Sequence, residues 1–141
     1  IKYVLTASHN DFWANIHPRI IKTSLALYAD GYFDSAAEKA MREVETYLKE
    51  LFANLKNASV EPMGVNEVMN ALLNDGNIYS FDMSTVSGKD YFKGIKGLFE
   101  SSNSAYRNPA SHRNLSCSKR EAFERITLAS QLIYILEEHR K

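Results

Sequence analysis

The feature that most constrains the fold is a long run of apolar residues at helical spacing within residues 32–55. Apolar side chains recur there every three or four positions, which places them on one face of an α-helix over about six turns. This face comprises Phe33, Ala36, Ala37, Ala40, Met41, Val44, Tyr47, Leu48, Leu51 and Phe52. Because a long helix with one apolar face needs other helices to cover it, we expect an all-α domain.

Two shorter helices flank this segment. Pro18 suits the first helical position, where its missing N–H costs no hydrogen bond, and it predicts a helix that ends at Asp30-Gly31. Residues 65–73 predict a short helix that the Asn-Asp-Gly turn at 74–76 ends.

Two further helices are predicted in the second half of the chain. Ser87 with Asp90 marks the start of a fourth helix, which ends before Pro109 because a residue preceding proline is disfavoured in the helical conformation. Ser118 with Glu121 has the spacing of a capping box at the start of the last helix. That helix carries a very wide apolar surface, which indicates either the centre of the bundle or a helix shared with another subunit.

The predicted architecture is an up-and-down bundle of about four main helices, with a short extra helix and loop, in one domain over residues 16–141. Residues 1–15 are expected to form a linker or a short helix capped by Ser8 or Asp11. Residues 78–82 alternate like a strand, but no second run offers them a partner, so we expect an extended loop. The chain begins at Ile1, and we expect it to be a piece of a longer protein.

Composition excludes several classes of protein. With 45% hydrophobic and 24% charged residues, the chain resembles ordinary soluble domains. No apolar run approaches the roughly 18 to 20 residues that span a bilayer, so we expect no membrane association. The single cysteine, Cys117, excludes an intrachain disulfide framework and fits the reducing cytoplasm.

The net charge of zero conceals an uneven distribution. Residues 1–84 carry 7 Lys/Arg against 11 Asp/Glu, a charge of −4, while residues 85–141 carry 10 against 6, a charge of +4. The basic half suits an anionic partner, although solvated helix faces often produce a similar local excess. Its central basic residues are Arg107, Arg113, Lys119, Arg120 and Arg125.

The hexapeptide at 107–112 places Arg107 and His112 on either side of Pro109, where the chain must leave a helix. RNA cleavage through the ribose 2′-hydroxyl requires a base, an acid and a cation at the phosphorane. Histidine, with an unperturbed pKa of about 6.5, can act as either the base or the acid, and arginine can bind a phosphate through two hydrogen bonds. Since each chain supplies one such histidine, a two-fold dimer is the simplest way to assemble two. A purely structural reading, with Arg107 capping helix carbonyls and His112 bonded to a loop, remains an alternative.

Two further residues accompany this pair. Glu45 lies at the edge of the apolar face of the second helix, and a partly buried carboxylate there needs a partner, either Arg107 or Lys49 at i+4. Tyr106 is suited either to stacking on a base or to core packing. His112 and Cys117 are two conceivable metal ligands, but no second pair at zinc spacing exists, so we expect no metal and no cofactor.

A set of residues in order along nearly the whole chain resembles the Ymh-type family of uncharacterised prokaryotic and phage proteins, which looks like a branch of the HEPN superfamily. The set comprises Ile16-His17-Pro18, Gly31-Tyr32-Phe33, Ala36-Ala37, Ala40, Glu45, Gly64, Arg107-Asn108-Pro109, His112 and Ala129-Ser130. Arg107, Asn108 and His112 match the superfamily motif of Arg, a polar residue, three to five further residues and His. Tyr32 and Ser111 depart from the family pattern, but neither is the Arg or the His of that motif.

The resemblance implies a helical bundle that dimerises and often acts as a metal-independent endoribonuclease in toxin, abortive-infection or other phage-defence roles. Here His112 would act as general base or acid, Arg107 as phosphate clamp and Asn108 as an orienting group, leaving 2′,3′-cyclic phosphate and 5′-hydroxyl ends. Glu45 and Tyr106 would support the site, and an antitoxin or upstream domain would control it. Arg113, Lys119 and Arg120 are the expected RNA contacts. The alternatives are a non-catalytic nucleotide- or RNA-binding or dimerisation module and, third, a purely structural role.

Overall fold

The computed structural model describes residues 12–61, 63–107 and 116–141. These ranges contain five α-helices and no strand, which confirms the all-α expectation. The helices are α1 (Pro18–Ala29), α2 (Phe33–Leu55), α3 (Val65–Leu73), α4 (Val86–Ser102) and α5 (Lys119–Glu138), with a π-helical turn at Asn103–Arg107 directly after α4. Residues 12–14 add a short helical segment before α1. Each helix in the described ranges is too short or too polar to cross a bilayer.

The long helix α2 lies at the centre of the fold, and α1, α3, α5 and the π-helical turn all pack against it. Its predicted apolar face is covered as expected, with only Phe33 and Tyr47 left partly exposed. Burial of several large apolar side chains at about 1.5–3 kcal/mol each gives this helix a stability that its intrinsic propensity alone would not supply.

The last helix, α5, is buried on more than one side within a single chain, because it lies against both α1 and α2. Its buried residues are Ala122, Ile126, Ala129, Ser130, Leu132, Ile133, Ile135 and Leu136. Contacts within one chain therefore cover much of the wide apolar surface of this helix, whereas Phe123 and Tyr134 stay exposed.

The capping box at the start of α5 is confirmed. The Glu121 N–H donates to Ser118 Oγ at 3.1 Å, and the Ser118 N–H donates to Glu121 Oε1 at 3.2 Å. This reciprocal pairing satisfies two N–H groups that the first turn of a helix leaves without intrahelical partners.

The predicted start of α4 at Ser87 was wrong by two residues. The N-cap is Thr85, whose hydroxyl accepts the Gly88 N–H at 2.9 Å. A Cβ on Gly88 would lie 1.9 Å from the carbonyl oxygen of Asp82, so only glycine permits the preceding loop to cross the first turn so closely.

Residues 78–82 form a loop and no strand, as expected, but backbone hydrogen bonds connect this loop to the end of the chain. The Ser80 N–H donates to the His139 carbonyl at 2.8 Å, and the Lys141 N–H donates to the Ile78 carbonyl at 2.9 Å. The two segments form an isolated antiparallel bridge rather than a sheet. The partner comprises only the last residues after α5, so it shows no alternation that a sequence pattern could reveal.

Candidate functional site

Arg107 is the last residue of the π-helical turn, and its guanidinium lies against the side of α2. Nε and Nη2 both donate to Glu45 Oε2, at 3.0 and 2.7 Å. Nη1 lies 3.7 Å from Glu38 Oε1, an ion pair beyond hydrogen-bond distance. The side chain is 21% exposed. Short π-helical segments occur frequently at functional sites, where they shift one side chain relative to a regular helix.

Arg107 completes a row of alternating charges along one face of α2. Arg42 pairs with Glu38, and Lys49 Nζ lies 3.2 Å from Glu45 Oε1, each at i,i+4 spacing on the helix. The row therefore contains three cations and two carboxylates. Asp34 lies one turn before Glu38 on the same face of α2, so the cations and carboxylates of this face balance, and Glu45 holds Arg107 in place.

Glu45 is the residue that fixes Arg107. Burial disfavours the charged form of Glu45, but the hydrogen bonds from Arg107 and Lys49 outweigh it and hold the pKa of the carboxyl below its ordinary value. The sequence left Arg107 and Lys49 as alternative partners, and the structure provides both, one on each carboxylate oxygen.

A cleft of about 260 Å³ lies between the start of α2, the π-helical turn and the start of α5. Its lining residues are Asp34, Ser35, Ala37, Glu38, Met41, Tyr106, Cys117 and Arg125. Arg107 is not among them and borders a separate small cavity with Glu45 and Phe99. The link between Arg107 and the cleft is Glu38, which lines the cleft and faces Nη1.

Tyr106 has the core packing that was one of its two expected roles, and its stacking on a base stays a prediction. It packs against the hydrophobic core, and it also lines the cleft. One face of its ring is covered by Arg125, whose Cζ lies 4.7 Å from the ring centroid. This is the distance range of a cation–π interaction. Sequence reasoning counted Arg125 only among the surrounding basic residues, because no local pattern relates it to Tyr106.

Cys117 precedes α5, and its backbone forms a hydrogen bond with the start of α2. Its N–H donates to the Asp34 carboxylate. Burial raises the pKa of the Cys117 thiol despite the opposing charge of Arg125. A thiol with a raised pKa is mostly protonated at neutral pH and is a poor nucleophile.

The other predicted site residues divide into two groups. Asn108, His112 and Arg113 lie outside the described residues. Lys119 and Arg120 occupy the first turn of α5, are exposed, and do not line the cleft. Arg120 is 73% exposed and pairs with Glu124 at 2.7 Å, an interaction that at such exposure contributes little to stability.

His17 forms a second polar cluster, at the contact between α1 and α5, that sequence reasoning did not assign. Its N–H donates to Ser130 Oγ at 2.8 Å, and its Nδ1 accepts the Arg19 N–H at 3.0 Å. Because Nδ1 is an acceptor, Nε2 is the ring nitrogen that carries the proton towards Glu137. His17 and Ser130 both belong to the residues that carry the family resemblance, and their contact gives these positions a structural role. The position of His17 immediately before Pro18 was the available signal for a helix cap.

The profile of a family described as "Protein of unknown function (Hypoth_ymh)" matches residues 14–136, and the chain belongs to that family. No curated protein and no solved structure matches the chain. The matched region includes α1 to α4, the π-helical turn and nearly all of α5.

Proposed function

We propose that this member of the Hypoth_ymh family is a metal-independent endoribonuclease with a HEPN-like bundle of about four main helices, acting as a homodimer. The observation that carries the proposal is the way Arg107 is held. Its guanidinium is anchored on Glu45, which also binds Lys49, and Arg107 precedes His112 by five residues in the sequence. Phosphodiester cleavage without a metal requires a fixed cation and a proton-transfer group, the roles that we propose for Arg107 and His112.

In the proposed reaction, His112 accepts the proton of a ribose 2′-hydroxyl, and the resulting oxygen attacks the adjacent phosphorus. The bond from phosphorus to the 5′-oxygen breaks, and a second histidine, His112 of the other subunit, protonates the leaving oxygen. The products are a 2′,3′-cyclic phosphate and a 5′-hydroxyl. Arg107 stabilises the negative charge that builds on the phosphorane, and Asn108 orients His112 or the phosphate.

Glu45 is the positioning residue in this scheme. It binds the Nε and Nη2 groups of Arg107, so the edge that carries Nη1 is the one directed to the substrate. Lys49 shares the Glu45 carboxylate and offsets part of its charge. A guanidinium fixed along one edge contacts a phosphate with less loss of rotational freedom than a mobile lysine would.

The wider role follows from the resemblance. It supports a cytoplasmic function in toxin–antitoxin, abortive-infection or other phage-defence systems, controlled by an antitoxin or an upstream domain. Arg113, Lys119 and Arg120 would contribute to RNA binding through the basic surface around the site.

The test is digestion of end-labelled RNA in EDTA, with His112→Ala alongside the parent protein. We expect RNA cleavage to cyclic-phosphate ends by the parent, none by the variant, and no cleavage of DNA of the same sequence, which lacks the attacking hydroxyl. Circular dichroism checks that the variant keeps its helices. Full activity in His112→Ala, or a strict requirement for a divalent metal, would overturn the proposal.

A second candidate is a non-catalytic RNA-binding or dimerisation module built on the same bundle. The observation in its favour is that Arg107 already faces two carboxylates, Glu45 and Glu38, as a structural arginine would. Retention of labelled RNA by the parent protein in EDTA, with the RNA intact after prolonged incubation, would favour this candidate.

A further inference from the structure

Arg125 occupies a different environment from the other described basic residues near the site. Its side chain is 19% exposed, whereas that of Arg120 on the same helix is 73% exposed. The guanidinium of Arg125 lines the cleft and lies over the Tyr106 ring. The ring fixes the plane of the guanidinium and so limits the entropy that a further contact would cost.

The hydrogen-bonding capacity of Arg125 is only partly used within the described part of the chain. Its carboxylate contact there is Glu121 at 3.4 Å from Nη2, which is long beside the 2.7–2.9 Å typical of charge-assisted hydrogen bonds. The other Glu121 oxygen accepts the Ser118 N–H in the capping box. Arg107, by contrast, has Glu45 at 2.7 Å. A guanidinium with five N–H donors and one long contact retains donors for a second anion.

Arg107 and Arg125 approach the cleft from neighbouring elements. Arg107 directly follows Tyr106, on which Arg125 stacks, and the Nη1 group of Arg107 faces Glu38 on the cleft wall. The π-helical turn thus presents one arginine and supports the other. Arg125 lines the cleft and Arg107 borders the neighbouring small cavity, so the two guanidiniums provide separate cations for the singly charged phosphates of a nucleic-acid backbone.

Two carboxylates on the cleft wall define the kind of anion that fits. Asp34 accepts the Cys117 N–H, and Glu38 pairs with Arg42 and lies near Arg107, so each carboxylate already has donors. Their remaining charge repels a doubly charged terminal phosphate more than a singly charged diester. The cleft therefore favours a phosphodiester within a chain over a free phosphate or a chain end.

We propose that Arg125 is a second phosphate-binding residue of the Arg107 site, contacting a phosphodiester next to the one that is cut, with Tyr106 as its positioning residue. The inference rests on the proposed function, since it takes RNA as the ligand of that site. It adds a residue on α5 that contacts the π-helical turn through the ring of Tyr106.

The experiment measures binding of fluorescein-labelled single-stranded RNA in a His112→Ala background, so that cleavage does not interfere, between 50 and 200 mM salt. We expect Arg125→Gln to weaken binding about tenfold and to reduce the slope of log K against log salt by about 0.7, the value for one lost phosphate contact. Arg19→Gln is the matched control, because it removes another arginine that stacks on a tyrosine and pairs with glutamate. It should leave both the affinity and the slope unchanged.

Affinity and slope equal to those of the background protein in a folded Arg125→Gln variant would overturn the inference. Should that variant be unfolded by circular dichroism, Arg125→Lys decides. Lysine keeps the positive charge but lacks the planar guanidinium that donates two parallel hydrogen bonds. We therefore expect the salt dependence of RNA binding to be unchanged and the affinity to fall about threefold or more. An unchanged affinity would overturn the inference. RNA binding without cleavage by the parent would remove only the nuclease assignment. The absence of RNA binding by the parent would remove both proposals.

Discussion

Two arginines bind opposite flanks of α2 with the same kinds of partner, yet only one of them belongs to a candidate site. Arg19, from α1, donates through Nε to Glu43 at 2.9 Å and through Nη2 to Glu50 at 3.0 Å, and its Cζ lies 4.4 Å from the centroid of Tyr47. Arg107, from the π-helical turn, donates to Glu45 and faces Glu38. Burial does not separate the two, since both arginine side chains are partly exposed.

The difference lies in the balance of charge and in the adjoining space. Arg19 is one cation between two carboxylates, a cluster of net charge −1 in which the guanidinium is engaged along its edges and across its face. Arg107 shares its face of α2 with two further cations, Arg42 and Lys49, and this face adjoins a cleft through Glu38 and Tyr106. The Arg19 ion pairs thus connect α1 to α2, whereas the Arg107–Glu45 pair positions a cation that we propose to bind an anion.

The largest expected effect is on RNA cleavage, which should depend on Arg107 and not on Arg19. Arg107→Lys keeps the charge but loses the two N–H groups that meet Glu45, so we expect RNA cleavage in EDTA to fall about 100-fold or more. The equivalent change Arg19→Lys should leave the rate within about twofold. Initial rates on end-labelled RNA measure both, and comparable losses in the two variants would remove the distinction between the flanks.

The next largest effect is on the free energy of unfolding, to which the Arg19 cluster should contribute. Arg19→Ala deletes two ion pairs and a cation–π contact between α1 and α2, so we expect a loss of about 1–2 kcal/mol. That corresponds to a decrease in Tm of several degrees for a chain of this size. Thermal unfolding followed by circular dichroism measures it, with RNA binding as the accompanying control. An unchanged Tm would mean that this cluster does not stabilise the contact between α1 and α2.

A smaller effect concerns pH. The pKa of Glu45 is lowered in the folded protein, so its ionised form contributes stability that is fully present above the unfolded-state pKa of about 4.3 and is lost as pH falls through the folded-state pKa. We expect the urea midpoint of the parent to decrease more steeply between pH 5 and pH 3 than that of Glu45→Gln. The same pH dependence of the urea midpoint in both proteins would show that the Glu45–Arg107 pair does not stabilise the fold.

The smallest effect is a change in thiol reactivity. Cys117 is the single cysteine of the chain and lines the cleft, so alkylation reports on the Arg107 flank alone. Its raised pKa and partial burial predict alkylation several-fold slower than that of glutathione at pH 7.5, and RNA should slow it further. Mass spectrometry over time provides the rates. An unaltered rate at saturating RNA would locate the bound RNA away from this cleft.

Much of the helical framework was predictable because its signals are local. The apolar period of α2, the proline at the start of α1 and the capping box at Ser118 each involve residues within a few turns of one another. The start of α4 was placed two residues late because Thr85 and Ser87 are both residues that favour the N-cap position. The bridge between residues 78–82 and the end of the chain was not foreseen because its partner is distant in sequence.

The candidate site was only half predictable for a related reason. The sequence singled out Arg107 by its distance from His112, and it left Glu45 with two alternative partners. Arg125 carries no comparable signal, because its contact with Tyr106 joins residues 19 positions apart on different elements. Periodicity does not reveal which side chains of two packed elements meet across the gap between them.

The sequence by itself determined that this protein is built from helices, where most of them begin and end, and that its basic residues gather in the second half. These properties follow from backbone preferences and apolar spacing along a few turns. Only the tertiary structure decided which basic side chains are held by carboxylates, which one stacks on Tyr106, and which flank of α2 adjoins a cleft. Those outcomes depend on distances between elements far apart in the chain, and charge interactions change with every such distance.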